Sequence, residues 1–502
     1  MMPRIILTTL NSRYTHTAIA LRYLYANMQE LQDETTILEF TINENIQSIA
    51  EQILDKKPEI IGISVYIWNA TEVHQLIEIL KKIVPTTKIV LGGPEAGHIP
   101  HRVDFSKADF IIKGEGDVAF YKLCHEIFEG TAPTEQIIAP VMANLKEIAS
   151  PYDYYSESDV ANRYIYVEAS RGCPFLCEFC LSAIDEKVRN FDIDALLVEF
   201  EKLWQRGARN YKFIDRTFNL NMKFANAILD FFLAKDEPYF VHFEVIPDHF
   251  PDSLKERISQ FAPGALQLEV GIQTLDPKIA DNINRPLKLD KIKENLFYLE
   301  NETKAHMHVD LIVGLPGETL EGFGRNLNEL ASLTSCEIQI GILKHLSGTT
   351  MSRHDQEAGM IYSDIPPYDI LQNDLITFAE IQEMKRFARF WDLVYNSGNF
   401  TSTCDLLFEE TTVYDGFKHF TKWLYSETQS TWKISLDRLT QHIYDFLTQE
   451  RSLVKEHVIE TMLLDITKNK RRKVPQFMRE HQTQHEVKKQ PKANKRQIRL
   501  LD

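Results

Sequence analysis

A chain of 502 residues is longer than one ordinary core can fill, so two or three domains are expected. Its composition, 44% apolar and 25% charged, excludes collagen-like and wholly disordered classes, and no window approaches eighteen uninterrupted apolar residues, which argues against a membrane span. The net charge of −16 is uneven: from Lys468 onward there are 12 Lys/Arg against 3 Asp/Glu, and the remaining 44 basic and 69 acidic residues make an acidic body poorly suited to duplex phosphates.

The N-terminus, "MMPRIILTTLNSRYTH", has a short apolar run and no small-residue cleavage site; it reads as a first strand and not as a signal peptide. Six cysteines, three of them isolated, make no disulfide framework, and reduced thiols imply the cytosol. From residue 1 to about 140 the strand patterns "RIILTT", "TTILEFTI", "EIIGISV", "KIVLGG" and "DFIIKG" alternate with helical ones, such as the stripe Ala20, Leu21, Leu24, Tyr25, Met28 and Leu31. This rhythm predicts an α/β, doubly wound parallel sheet, whose ligands bind at the carboxyl ends of its strands. Glycine-rich turns follow two of those ends, "LGGPEAGH" at 91–98 and "KGEGD" at 113–117.

A Ser-, Asp- and Tyr-rich connector is expected over 141–163. A second series then runs through "YIYVEAS", "NYKFIDR", "YFVHFEV", "ALQLEVGIQ", "HMHVDLIVG" and "EIQIGILK", with helices such as "IDALLVEFEKLWQRGA" and "MKFANAILDFFLA" between. Six strand–helix units, where a complete barrel has eight, predict a partial (β/α)6 barrel over 164–360. From about 365 strand patterns disappear, and 365–467 reads as an all-helical region; in "DLITFAEIQEMKRFARFWDLVYN" (374–396) Phe378, Ile381, Phe387 and Trp391 share one stripe. The basic tail, 468–502, lacks apolar periodicity and is expected to be solvated and mobile.

Half of the cysteines crowd into "ASRGCPFLCEFCLSAID" (169–185) as Cys173, Cys177 and Cys180, just past the first strand of the second series. Three thiolates can hold zinc, but a structural zinc site closes with four ligands. Ferredoxin-type runs have other spacings and a fourth cysteine, and Cys124, Cys336 and Cys404 are isolated. The alternative is a four-iron cluster with one iron left open for a substrate.

This stretch, with its "RGCP" lead-in and Phe179 before the last cysteine, resembles the radical S-adenosylmethionine (SAM) enzymes. The resemblance implies a 4Fe-4S cluster on Cys173, Cys177 and Cys180, whose open iron chelates SAM and whose electron cleaves it to a 5′-deoxyadenosyl radical. It also implies SAM contacts along the barrel. Besides Phe179 these are Asp215 and Arg216 in "FIDRTFN", Glu244 in "HFEV", and Glu269, Gly271 and Gln273 in "LEVGIQTLDP". Gly314 and Gly317 in "DLIVGLPGET" and Leu343 at the head of "LKHLSGTTM" complete the set.

The first domain resembles cobalamin-binding domains through Ser64 in "GISVYIWNA" and the paired Gly92 and Gly93 in "VLGGPEA". That resemblance implies cobalamin contacts at Asn11, Arg13 and Tyr14; at Ser64, Tyr66, Trp68 and Asn69; at Gly92, Gly93, Pro94 and Glu95; and at Gly114 and Glu115. Many such domains ligate cobalt through Asp-x-His-x-x-Gly at the first strand–helix turn. Here neither the Asp nor the Gly stands in register with His16, so His16 is expected to be a helix-start residue. Together the two resemblances imply a cobalamin-dependent radical SAM enzyme, with methyl transfer to an unactivated carbon the leading chemistry and oxidative cyclisation or rearrangement the alternative. The reading from another class is a non-catalytic cobalamin or iron–sulfur sensor. A transfer-RNA methylthiotransferase would carry three further cysteines in its N-terminal domain, where this chain has Cys124 alone. No side chain is expected to act as a catalytic group beyond the cofactors. The expected partners are a small-molecule or peptide substrate and an electron donor such as flavodoxin or ferredoxin, with no membrane or nucleic acid, in the cytoplasm.

Overall fold

In the computed structural model, residues 3–468 and 472–481 are described; most of the basic tail lies outside them. The chain divides into two compact units: one runs to Glu244 and takes in Lys344–Arg353 and Tyr362–Asp369, the other comprises Val245–Leu343, His354–Ile361 and the chain from Ile370.

The first unit opens with a six-stranded parallel sheet of β1 (Ile5–Asn11), β2 (Thr35–Thr41), β3 (Ile60–Ser64), β4 (Lys88–Gly92), β5 (Phe110–Ile112) and β6 (Ile137–Ile138), in the order β2-β1-β3-β4-β5-β6. This is the doubly wound sheet the sequence predicts. Its helices α1 (Ile19–Ala26), α2 (Ile46–Leu54), α3 (Ala70–Ile83) and α4 (Ala119–Phe128) cover both faces, which is why β1 and β3 are buried at every residue. The sixth strand, β6, is not among the predicted ones, because two residues carry no readable alternation. The stripe from Ala20 to Leu31 does not make one helix either. It breaks after Ala26, Gln29 turns to φ +48°, and a 3₁₀ segment (Gln29–Glu34) still buries Met28 and Leu31.

Helix α5 (Glu157–Asn162) starts from a capping box between Ser156 and Asp159. Arg22 and Arg163 both reach Glu39 of β2 and Asp159 of α5, making a buried ring of alternating charge with Arg22–Asp159 at 2.8 Å and Arg163–Asp159 at 2.7 Å. Burial opposes ionisation, but Arg22, Arg163 and Ser156 together hold the Asp159 carboxyl down at about 2.

Beyond α5 come β7 (Ile165–Val167), the two arms of a small antiparallel hairpin, β8 (Ser170–Arg171) and β9 (Arg189–Asn190), then α6 (Ile193–Gln205), β10 (Asn210–Phe213), α7 (Met222–Leu233) and β11 (Phe240–Val245). Strands β7, β10 and β11 are parallel neighbours. The second unit continues the strand–helix rhythm with α8 (Asp252–Ile258), β12 (Leu266–Gln273), α9 (Pro277–Asn282), α10 (Leu289–Glu302), β13 (His306–Val313), α11 (Leu320–Leu333) and β14 (Glu337–Ile342). There β12, β13 and β14 are parallel neighbours, so the series supplies the six strands expected of a partial barrel. Four of these helix starts are fixed locally: the side chains of Asp192, Asn221, Asp276 and Thr319 accept from backbone N–H groups of the first turns of α6, α7, α9 and α11.

The C-terminal part is helical, as expected, with α12 (Phe378–Val394), α13 (Thr401–Phe408), α14 (Val413–Thr428), α15 (Leu436–Asp445) and α16 (Lys455–Lys468). A short strand at Ile370–Gln372 lies where the residue pattern predicts no further strands. Helix α12 begins at the Thr377–Glu380 capping box, so Phe378 sits in its first turn, half-exposed, and the buried stripe starts at Ile381. Phe387, Trp391, Phe417 and Phe420 then form an aromatic core. Trp391 Nε1 donates to the Ile338 carbonyl at 3.0 Å, and the Asn396 side chain donates to the same carbonyl at 2.9 Å and accepts from the Ile338 N–H at 3.0 Å, which fixes α12 to β14. Among the described residues no helix is long and apolar enough to cross a membrane.

Candidate functional site

The three clustered cysteines lie in a loop closed by the β8–β9 hairpin. Gly172, at φ +88°, makes the neck: a Cβ there would stand 2.5 Å from the Lys187 carbonyl oxygen. Beside it the Cys173 N–H donates to the Asp185 carbonyl at 2.9 Å, and the Cys180 N–H to the Cys177 carbonyl at 3.0 Å. Cys173 and Cys177 are buried, Cys180 and Phe179 partly exposed, and all six cysteines of the chain are free thiols. The other three are buried apart from this loop, and burial pushes their thiols up, that of Cys336 to about 12, as suits packing and not ligation. Three soft sulfur donors on one tethered loop fit an iron–sulfur cluster. Buried Glu178, between the second and third cysteine, accepts from Arg353 Nε at 2.7 Å and anchors the loop from outside.

Asp215, just past β10, is buried; its carboxylate accepts from the Ala169 N–H at 2.9 Å and from Ser170 Oγ at 2.6 Å, pinning the turn that enters the hairpin. Burial pushes this carboxyl up to about 7. The native state therefore holds the proton more tightly than an unfolded Asp, which titrates near about 4. Stability from this group is complete below about pH 4 and is lost as the pH rises toward 7. Asp215→Asn removes that dependence, so urea unfolding should show the variant gaining on wild type between pH 4.5 and 7.5. The next residue, Arg216, is half-exposed and grips both oxygens of Glu244 at 2.7 and 2.8 Å.

A second feature opens at the carboxyl ends of β3, β4 and β5: a cavity of about 240 Å³ between α1 and α4. Its walls are apolar, from Val90, Leu91, Ile112 and Phe120, and its rim carries Ser64, Tyr66, Pro94, Gly114 and Glu115. The glycines shape it. A Cβ on Gly92 would meet nothing within 4 Å, so its backbone faces open space, whereas Gly93, at φ +97°, would place a Cβ 2.6 Å from the Val65 carbonyl. Bared backbone over an apolar slot fits the nucleotide tail of a cobalamin. Among the other residues expected there, Trp68 is 44% exposed and stacks on Tyr66 (ring centroids 4.4 Å apart, 6° between planes), leaving a flat aromatic surface. Arg13 and Tyr14 are exposed. Asn69 is fully buried and ties its own loop together, accepting from the Tyr66 N–H at 2.8 Å and donating to the Leu10 carbonyl at 3.1 Å. Asn11 reaches Glu39 at 3.4 Å, and buried Glu95 accepts from the Tyr368 hydroxyl. Nδ1 of His16 meets the Tyr166 hydroxyl at 2.7 Å.

Cavity and cysteine loop are joined by charge pairs that no sequence motif links. Arg171 lines the cavity and stands two residues before Cys173. It pairs with Asp117 and Glu168, each at 2.9 Å, and approaches Glu115 at 3.5 Å, while its guanidinium lies 4.8 Å from the Tyr23 ring centroid. Arg189, on the other hairpin arm, also grips Glu115 and reaches Asp185 at 3.2 Å. The acids of "KGEGD" and the arginine of "RGCP" are each conspicuous, but 54 positions separate Asp117 from Arg171, and no local pattern links them.

In the second unit, Glu269 and Gly271 lie on one face of β12, in register with His308 and Asp310 of β13. Gln273 takes φ +65° at an irregularity that ends β12, Gly314 (φ +93°) ends β13, and Gly317 (φ +85°) follows it; a Cβ on Gly314 would stand 2.9 Å from Ile370 and one on Gly317 2.8 Å from the Asn282 amide, so side chains already pack closely against both. Leu343, just past β14, is buried and holds Val313 and Ile370 through its backbone.

Three family models match the chain. Residues 5–123 match the B12 binding domain, 167–330 the radical SAM superfamily, and 356–501 a protein family of unknown function, DUF4080. The first two spans are those that carry the glycine-lined cavity and the cysteine loop. The chain belongs to the cobalamin-binding radical SAM enzymes. Within this group it is similar to an uncharacterized methyltransferase of Pyrococcus horikoshii, 23% identical over 337 residues that cover 61% of this chain and 71% of that one. It is also similar to the cobalamin-dependent radical SAM methyltransferase TokK of Streptomyces tokunonensis, 24% identical over 62% of this chain, and spans only half of TokK's length. The cobalamin-dependent SAM radical enzyme OxsB, solved with aqua-cobalamin and SAM bound, shares the fold at a TM-score of 0.61 and 13% identity, over 92% of this chain and 78% of that one.

Proposed function

We propose that this radical SAM enzyme transfers a methyl group to an unactivated carbon of a small-molecule or peptide substrate, working in the cytoplasm with a flavodoxin- or ferredoxin-type electron donor. The observation that carries the reading is Arg171: one side chain lines the glycine-floored cavity and braces the strand entering the cysteine loop. When bound, the cofactors supply the chemistry, the 4Fe-4S cluster an electron that cleaves SAM and cobalamin a transferable methyl. The protein's work is to hold and shield. Cys173, Cys177 and Cys180 would ligate the cluster, and the neck at Gly172 keeps their loop in one conformation. Gly92, Gly93 and Ser64 would receive the cobalamin tail, with the Tyr66–Trp68 stack against the corrin. Gln273, Gly314 and Gly317 would lie along the nucleoside of SAM, and Asp215 positions the entry to the cluster loop from below. No paired acid and base is required of the side chains.

Gly92→Leu tests the cofactor pairing, because Gly92 lines the cavity and a Cβ there meets no protein atom within 4 Å. Overpacking of about 1–3 kcal/mol predicts roughly a five- to 150-fold weaker hold on cobalamin with iron content unchanged. Reaction of the reconstituted enzyme with labelled SAM and a cell extract should yield a methylated product together with S-adenosylhomocysteine and 5′-deoxyadenosine. A deoxyadenosine-linked or cyclised product without methyl transfer would instead favour a cyclase or rearrangement enzyme.

A further inference from the structure

Three chelating side chains converge in the second unit at the opposite ends of the strands from Gly314 and Leu343. His306 and His308 are two residues apart at the start of β13 and so share a face. Register sets Glu337, the first residue of β14, directly beside His308, and Gln267 of β12 beside His306. The other face of β12 and β13 is apolar, with Leu268, Val270, Met307 and Val309 buried. A cluster of ionisable groups is therefore set into an otherwise ordinary sheet, where barrel interiors are usually filled by branched aliphatics.

The spacing is that of ligands around one ion. His306 Nε2 lies 3.7 Å from one Glu337 carboxylate oxygen and His308 Nε2 lies 3.5 Å from the other, and the ligand atoms are all within 4.8 Å of one another. Those separations exceed a normal N–H···O hydrogen bond of about 2.7–3.2 Å. They approach the ~3.4 Å between atoms bonded at about 2.0–2.2 Å to a tetrahedral ion. The imidazoles are 10% exposed and the carboxylate 2%, so water does little to screen the charge of Glu337. The His308 ring is held from behind: its Nδ1 meets the Gln339 amide at 2.7 Å and the Gln267 amide at 3.2 Å, which turns Nε2 toward Glu337. A second nitrogen fixed by an outer polar group is the usual support of a metal-bound imidazole, and a glutamine amide can present its oxygen to an Nδ1–H as readily as its nitrogen to a lone pair.

We propose that His306, His308 and Glu337 bind one divalent ion of the zinc class. Two imidazoles and one carboxylate suit zinc, and the absence of sulfur from the set separates it from the cysteine loop. Three protein ligands leave a fourth position to water, and the site lies roughly 20 Å of strand away from the carboxyl ends where SAM is proposed to sit, so it takes no part in the radical chemistry.

The test is metal analysis of the full-length enzyme, purified anaerobically, incubated with equimolar zinc chloride and gel-filtered. Wild type should retain about one zinc per chain beside its iron. Cys173→Ala should lose iron and keep the zinc, so that this proposal and the cluster assignment fail separately. Glu337→Gln and His308→Gln should lose zinc and keep iron, and X-ray absorption at the zinc edge should show only nitrogen and oxygen neighbours at about 2.0–2.1 Å. Added zinc should also raise the melting temperature of the wild-type chain in a concentration-dependent way, a reading that needs no variant. Wild-type protein that retains no zinc and shows no melting shift would overturn the proposal, as would zinc unaffected by both substitutions or a sulfur shell near 2.3 Å. The three residues would then be an ion-paired cluster.

Discussion

Alanine at Cys173, Cys177 or Cys180 should reduce bound iron from about four atoms per chain to near none and abolish the cluster's absorbance at about 400 nm. The loss should be complete for each, because three sulfurs hold three irons and the loop contains no fourth thiol to take over. Serine at Cys124, Cys336 or Cys404 should leave iron unchanged, since those thiols are buried elsewhere and held neutral. Iron and sulfide assays on anaerobically reconstituted protein decide between the outcomes; four irons retained in any one of the first three variants would remove that cysteine from the ligand set.

Arg171→Ala should be strongly destabilising. The guanidinium is 14% exposed, and its main partners, Asp117 and Glu168, are 6% and 5% exposed. Deleting the cation leaves two carboxylates buried without it, a change that costs about 3–5 kcal/mol for a buried pair. Burial already pushes the Glu168 carboxyl up, with Arg171 acting against that shift, so the variant should take up a proton at Glu168 and recover part of the loss at low pH. Arg171→Lys keeps the charge but not the fork that meets both acids, and should fall between the two. Urea unfolding at pH 5 and pH 8 measures both effects. An Arg171→Ala protein as stable as wild type at pH 8 would mean that the network contributes nothing.

The contrast between these residues explains what the sequence makes legible. Cysteine spacing is local and chemically rare, so the loop at 173–180 stands out from its residues alone, and continuous apolar runs such as "EIIGISV" announce buried parallel strands by composition. The pairing of Arg171 with Asp117, and of His308 with Glu337, comes from register and long-range packing, which leave no periodic trace. Positions singled out by resemblance divide in the same way. Gly92 and Gly93 shape a cavity through their own backbone, while Asn69 and Asp215 hold loops together, a role that depends on burial. The break at Asn27 in the first helical stripe and the half-exposed Phe378 show that apolar spacing finds a buried face better than it finds a helix's ends.

Whether three cysteines hold a four-iron cluster and leave one iron for SAM is decided by electron paramagnetic resonance of the reduced, iron-replete enzyme with and without SAM. The cluster signal should change shape when SAM is added, with release of 5′-deoxyadenosine. A fully loaded cluster whose signal is indifferent to SAM, with no nucleoside formed, would contradict that assignment.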